Sequence, residues 1–154
     1  MQDINAVAVG SDLTWRFFRA GGECEFYDSS FSSYRSIRFY QSLAFRPDEA
    51  SSLNFDFNEA WTTYLDSGRD ENLYSFITRY HRRLTRHLGG DVEGGYSVRR
   101  GEGVDQNQAA FRPGLDFAMG KLSLKVSYNF EYESFLDTEE RFKHLFYVRL
   151  KRTF

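Results

Sequence analysis

The sequence predicts an all-β protein, an antiparallel up-and-down meander of about eight long strands. Three observations carry that reading. Apolar and polar residues alternate with period two along most of the 154 residues, the pattern of strands with one face of each kind. Aromatics are abundant, with 16 Phe, 10 Tyr and 2 Trp against only 2 Pro, which excludes a disordered chain. Charged residues make up 27% of the chain and the mean hydropathy is −0.58, so no apolar run is long enough for a membrane helix. A polar average with this many aromatics suits a sheet that is apolar on one side and polar on the other. The length fits one β-domain over residues 1–154.

The clearest element is 122–132. Leu122, Leu124, Val126, Tyr128, Phe130 and Tyr132 share one face, and Ser123, Lys125, Ser127, Asn129 and Glu131 the other. After an acidic turn at 137–140 the alternation resumes over 142–154. Six further segments precede these, at 7–19, 36–46, 53–65, 73–85, 91–100 and 109–119. Their apolar faces are marked by Leu13 and Trp15, Phe39 and Leu43, Phe57 and Trp61, Phe76 and Tyr80, Val92 and Tyr96, and Phe111 and Leu115. A helix partly fits 74–84 as well. Short turns are expected at 47–52, 86–90 and around Gly120, and longer polar loops at 21–33, 67–72, 101–107 and 137–140. Short connections make neighbouring strands antiparallel.

The direction of the apolar face decides the class. A soluble barrel or sandwich turns it inward. A membrane barrel turns it to lipid and keeps charge inside. Strands of about 10 to 13 residues match the ~9–11 that cross a bilayer at a tilt and exceed the ~5–6 usual in soluble sheets. Aromatics gather toward strand ends (Trp15, Trp61, Tyr74, Tyr132, Phe142, Phe154), as interfacial girdles do. Alternating short and long connections fit the two sides of such a barrel. The pattern therefore favours a transmembrane β-barrel, either a closed eight-strand ring or part of a larger one. Glu59 and Arg82 fall on the lipid-side face. They either pair with each other, lie near an interface, mark a protein contact, or betray a register error.

The chain ends Phe146-Tyr147-Val148-Arg149-Leu150-Lys151-Arg152-Thr153-Phe154. This resembles the terminal strand of bacterial outer-membrane β-barrel proteins, which ends in an aromatic with apolar residues at alternating positions upstream. Phe146, Val148, Leu150 and Phe154 match that pattern, and Arg152 departs from it. The run 120–154, and the tract 34–47 with Gln41-Ser42-Leu43-Ala44-Phe45-Arg46-Pro47, are similar to larger outer-membrane barrels of delta-proteobacteria. The resemblance implies a Gram-negative outer membrane, a lipid bilayer, the barrel assembly machinery that reads the terminal strand, and contacts with other envelope proteins. It also implies a mature chain or the C-terminal sector of a longer barrel, because the start lacks a basic and apolar leader. It carries no defined activity.

The polar face supplies the candidate site. Lumen-lining charges are expected at Arg16, Arg38, Asp56, Arg79, Glu93, Arg99, Arg112, Asp116, Lys125, Glu131, Lys143 and Arg149. With the neighbouring Asp12, Arg46, Arg83, Asp91, Glu133 and Lys151 they make eleven basic and seven acidic residues. That excess gives a net-positive lumen with a mild preference for anions. In an eight-strand ring the same charges would pack as a plug, and a mutually neutralised wall is the plainer alternative. The expected function is a porin-like or structural outer-membrane barrel, not an enzyme. A soluble β-barrel binding an apolar ligand is the alternative, and an outer-membrane hydrolase the third reading.

Other chemistry finds little support. His81, His87 and His144 are not spaced for a metal site, and no cofactor is expected. The single Cys24 rules out an internal disulfide framework. The formal charge of −2 gives no electrostatic case for nucleic acid.

Overall fold

The computed structural model describes residues 4–29, 32–135 and 140–152. It is a single antiparallel sheet of nine strands in chain order: β1 (Ile4–Trp15), β2 (Phe18–Ser29), β3 (Tyr34–Phe45), β4 (Ser51–Tyr64), β5 (Asp70–Arg83), β6 (Leu88–Gly101), β7 (Val104–Met119), β8 (Leu122–Phe135) and β9 (Arg141–Arg152). Strands run 12 to 16 residues. At a rise of about 3.3 Å per residue, a 14-residue strand is about 46 Å long. Tilted by about 45° it covers the ~30 Å hydrocarbon core of a bilayer.

The meander is as expected, with one strand more. Residues 7–19 do not form a single strand. The chain reverses at Arg16-Phe17, and Trp15 faces Phe18 across a two-residue hairpin. The tract at 21–33, read as a polar loop, is mostly β2. Two features hid it. Hairpins of two residues normally announce themselves with Gly, Asn or Asp at the left-handed position, and here Arg16 holds it at φ 51°. Gly21 and Gly22 also read as loop, yet both are covered. A Cβ on Gly21 would stand 2.3 Å from the Tyr40 hydroxyl, and one on Gly22 3.1 Å from the Phe39 ring. Aromatics on the next strand lie over both faces of this glycine pair, as in aromatic rescue of strand glycines. Residues 74–84 are strand, within β5, and not helix.

Connections at 16–17, 46–50, 84–87 and 120–121 share one end of the sheet, and those at 30–33, 65–69, 102–103 and 136–140 share the other. None exceeds five residues at either end, so the expected alternation of short turns and long loops does not occur. At Gly120 the two-residue turn uses φ 59°, the backbone that Arg16 adopts without glycine's freedom.

Register places the two faces as the alternation predicts. Leu124, Val126 and Phe130 of β8 face Leu150, Val148 and His144 of β9, and Phe117, Leu115 and Phe111 of β7 on the other side. Among the described residues no large apolar side chain is buried, and Leu13, Phe76, Phe111, Phe146 and Leu150 are all exposed. A soluble sheet of this size would cover them with a second layer. The apolar face instead carries rows of aromatics. Phe17 stacks on Phe45 at 5.4 Å and touches Trp15 near one end, while Trp61 meets Tyr74 at 6.3 Å and Tyr132 meets Phe142 at 5.2 Å toward the other. Phe154 lies outside the described residues.

The edges are β1 and β9. Because nine is odd, these two strands point the same way. Joining them directly would make a parallel seam in an otherwise antiparallel wall.

Candidate functional site: a charged belt on the polar face

Side chains of one parity on every strand project to the polar face. Cross-strand neighbours there stand close enough to bond directly, and they form a belt that crosses seven strands. The Ser42 hydroxyl on β3 donates to Asp56 Oδ1 on β4 at 2.7 Å. Asp56 also accepts from the Arg79 guanidinium on β5. Arg79 Nε donates to Glu93 Oε2 on β6 at 2.8 Å, and Arg112 Nη1 on β7 reaches Glu93 Oε1 at 2.8 Å. Arg112 Nη2 continues to Glu131 Oε1 on β8 at 3.1 Å, and Lys143 Nζ on β9 closes the row on Glu131 Oε2 at 3.4 Å. Asn129 braces the centre, accepting from Arg112 Nε at 2.9 Å and donating to Glu131 at 2.8 Å.

The order of charges along the belt is minus, plus, minus, plus, minus, plus. Each carboxylate between two cations is held from both sides by charge-assisted bonds. The side chains remain partly open to solvent, Arg112 by 47% and Glu93 by 30%, so each pair is worth at most about 1 kcal/mol. A concavity of about 300 Å³ sits against the belt, floored by Ser75, Ile77, Gly95 and Ala110 and rimmed by Arg112 and Glu131. Its floor is small because glycine, alanine and serine alternate with the charged positions.

Smaller groups flank the belt. Arg38 binds Glu25 at 2.6 Å, and the Tyr34 hydroxyl donates to the same carboxylate at 3.1 Å. Arg99 binds Glu71 at 2.5 Å. Lys125 lies 3.7 Å from Asp116 and 4.0 Å from Asp91. Among the expected wall residues, Arg38, Asp56, Arg79, Glu93, Arg99, Arg112, Asp116, Lys125, Glu131 and Lys143 are thus all on the polar face in ion pairs. Arg149 is on that face opposite Lys125, with no acidic partner among the described residues. Arg16 is not on the wall. It lies in the β1–β2 turn, with its guanidinium 5.6 Å from the centre of the Trp15 ring. Phe146, Val148 and Leu150 project from the apolar face of β9.

Sequence reasoning missed Arg19, Glu23, Glu25, Glu71 and Arg141, which the register adds to the polar face. Three of the five are acids. Among the described residues the face now carries eleven basic and ten acidic side chains. The net-positive wall expected from the sequence therefore shrinks to near balance. A signal for β2 was present in Phe18, Ala20, Cys24 and Phe26 alternating with Arg19, Glu23 and Glu25.

The two charges expected on the apolar face separate. Arg82 lies opposite Ser51 beside the turn at 46–50, while Glu59 lies opposite Phe39 and Tyr74 in mid-strand. They are eight positions apart along the register and do not pair. The histidines are scattered too. His87 Nδ1 donates to the Ala118 carbonyl at 2.9 Å, and His144 is bonded to the Tyr128 hydroxyl at 2.6 Å on the apolar face. Among the described residues no group of His, Cys, Asp and Glu is arranged to hold a metal ion.

Comparison with known proteins adds the fold. No family model and no curated protein matches the sequence. Among solved structures, the chain superposes on OmpT, an outer-membrane protein of Vibrio cholerae, with a TM-score of 0.67 at 8% identity, covering 98% of this chain and 55% of that one. A loop L8 deletion mutant of the same protein gives 0.64 at 7% identity, covering 98% and 53%. The chain spans about half the length of these barrels. The fold is that of an outer-membrane β-barrel wall.

Proposed function

We propose that the chain forms a sector of the wall of a Gram-negative outer-membrane β-barrel, porin-like or structural, with no catalytic chemistry. The apolar face meets lipid and the belted face lines the interior. One observation carries this reading: a nine-strand sheet with large apolar side chains exposed on one face and a continuous cross-strand ion-pair belt on the other. Lipid is the solvent in which such an apolar face is stable without a second layer. Strand number points to a sector rather than a complete ring, since antiparallel pairing all round needs an even count.

The balanced signs on the polar face suit a lumen of weak ion selectivity. Each belt charge is neutralised by its neighbours, so little field reaches a passing solute. The experiment is to refold the chain into detergent and lipid bilayers, check heat-modifiable migration on a gel, and record single-channel currents with a salt gradient. Stable steps with a reversal potential near zero support a water-filled, weakly selective lumen. A folded, heat-modifiable but silent chain supports the structural role. A chain that folds in plain buffer and ignores lipid contradicts the membrane reading.

A further inference from the structure

The two ends of the sheet differ in charge. At the end bearing the turns 16–17, 46–50, 84–87 and 120–121, residues within three positions of a turn, together with the last four of β9, include ten basic and two acidic side chains. Four of the cations are in the turns themselves: Arg16, Arg46, Arg86 and Lys121. The others lie near strand ends: Arg82 on β5 and Arg152 on β9 project to the apolar face, whereas Arg19 on β2, Arg83 on β5 and Arg149 and Lys151 on β9 project to the polar face, so the collar open to the lipid side is Arg16, Arg46, Arg82, Arg86, Lys121 and Arg152. At the opposite end the same windows hold eight acidic and six basic side chains among the described residues.

The two acids at the cationic end do little to neutralise it. Asp48 is turned onto its own loop, accepting from the Ala50 amide and the Ser51 hydroxyl at 2.8 Å each, and it is also attracted by the charge of Arg82. Glu49 is exposed in the same turn. Arg19 has Asp12 at 3.4 Å. Of the cations open to the lipid side, no ion pair joins Arg46, Arg86 or Lys121, all in turns, to an acid among the described residues. The belt is neutralised; this collar is not. Beside it Trp15 and Phe45 project from the apolar face, and Phe17 of the turn touches both. An aromatic row followed by a cation-rich rim whose turn residues Arg46, Arg86 and Lys121 have no acidic partner is the profile of a headgroup layer, aromatics at the ester level and cations among phosphates.

We propose that this collar docks on the anionic phosphate headgroups of one lipid leaflet, and so selects that leaflet for this end of the barrel. The proposal rests on the membrane reading above and goes further by naming the lipid chemistry.

Two single-tryptophan variants test it. Trp61→Phe leaves Trp15 at the collar, and Trp15→Phe leaves Trp61 toward the acidic end. Each is folded into vesicles of phosphatidylcholine and phosphatidylglycerol, with bromine on one lipid or the other, and quenching is measured. At Trp15, brominated phosphatidylglycerol should quench well beyond its mole fraction. A local enrichment of about five-fold per cation corresponds to about 1 kcal/mol each. The excess should fall at high salt and in Arg46→Gln/Arg82→Gln/Arg86→Gln, and be absent at Trp61. Strong quenching by brominated phosphatidylcholine, with phosphatidylglycerol no better than its mole fraction at either tryptophan, overturns the collar and leaves the membrane reading standing. No quenching by either lipid overturns both. If the triple variant does not fold, the salt dependence and the contrast between the two tryptophans still decide.

Discussion

At the scale of single residues, backbone angle and hydrogen bonding set the clearest expectations. Gly120 holds φ 59° with open space where a Cβ would go. Gly120→Ala therefore adds a methyl that clashes with nothing, and any loss is conformational. A cost of about 1 kcal/mol is expected, read as a lower urea midpoint of the heat-modifiable band. Asp48 stands outside the strands, and its bond from the Ser51 hydroxyl, then that from the Ala50 amide, hold its carboxyl below the ordinary carboxylate range. A depressed folded value means the contribution is present above the unfolded pKa, about 3.9, and is lost as pH falls through the folded one. The stability gap between wild type and Asp48→Asn should accordingly shrink toward zero as the medium is acidified through that range. A gap that widens on acidification would show the turn is held by something else. At this scale the sequence was legible except at Arg16, where a turn sits on a residue whose type gives no warning.

At the scale of elements, the belt and β2 carry the expectations. Arg112 bonds Glu93, Asn129 and Glu131, whereas Arg149 has no acidic partner among the described residues. Removing the first leaves two carboxylates facing a gap; removing the second leaves nothing unpaired. Arg112→Ala should destabilise by about 1–2 kcal/mol as several half-exposed pairs are lost, and Arg149→Ala by less than about 0.5 kcal/mol. Equal effects would mean the belt contributes nothing as a unit. On β2, Gly21→Ala forces Tyr40 aside and should cost about 1–3 kcal/mol. Tyr40→Ala should remove the ring's share of that cost in the double variant, a coupling that a cycle detects, and leave the share set by the Ser11 carbonyl oxygen 2.8 Å from the new Cβ. The faces of the expected strands, apart from the end of 7–19 beyond Trp15, were readable because a one-residue slip would invert every side chain. The ninth was not, because its glycines are structural on account of Phe39 and Tyr40, residues about twenty positions away. Two of the three acids that bring the wall near balance, Glu23 and Glu25, lie on this missed strand, and the third, Glu71, lies on β5 just before the segment expected to start at 73.

At the scale of the whole molecule, the sheet is organised by three features: strand parity, the two faces and the two ends. The ends were not legible as a pattern until the turns were assigned to one side or the other. Parity gives a direct expectation. With Cys24→Ser as background, cysteines placed at Val9 and Val148 sit on opposite edges of the sheet, and a disulfide needs Cα atoms within about 7 Å. Oxidation of the folded monomer should leave both thiols free. A quantitative intramolecular bond would mean that β1 and β9 meet and the nine strands close on themselves through a parallel seam. The match to half of a solved barrel along nearly the whole of this chain agrees with an open sector.

The orientation of the two faces is the claim on which the rest depends. Spin labels placed one at a time along β8, from Leu124 to Glu131, would report it in vesicles through collision with oxygen and with a water-soluble nickel complex. The account predicts period two: oxygen-accessible labels at Leu124, Val126, Tyr128 and Phe130, and nickel-accessible or immobilised labels at Lys125, Ser127, Asn129 and Glu131. The reverse phase, or labels at all eight positions equally open to nickel, would contradict it.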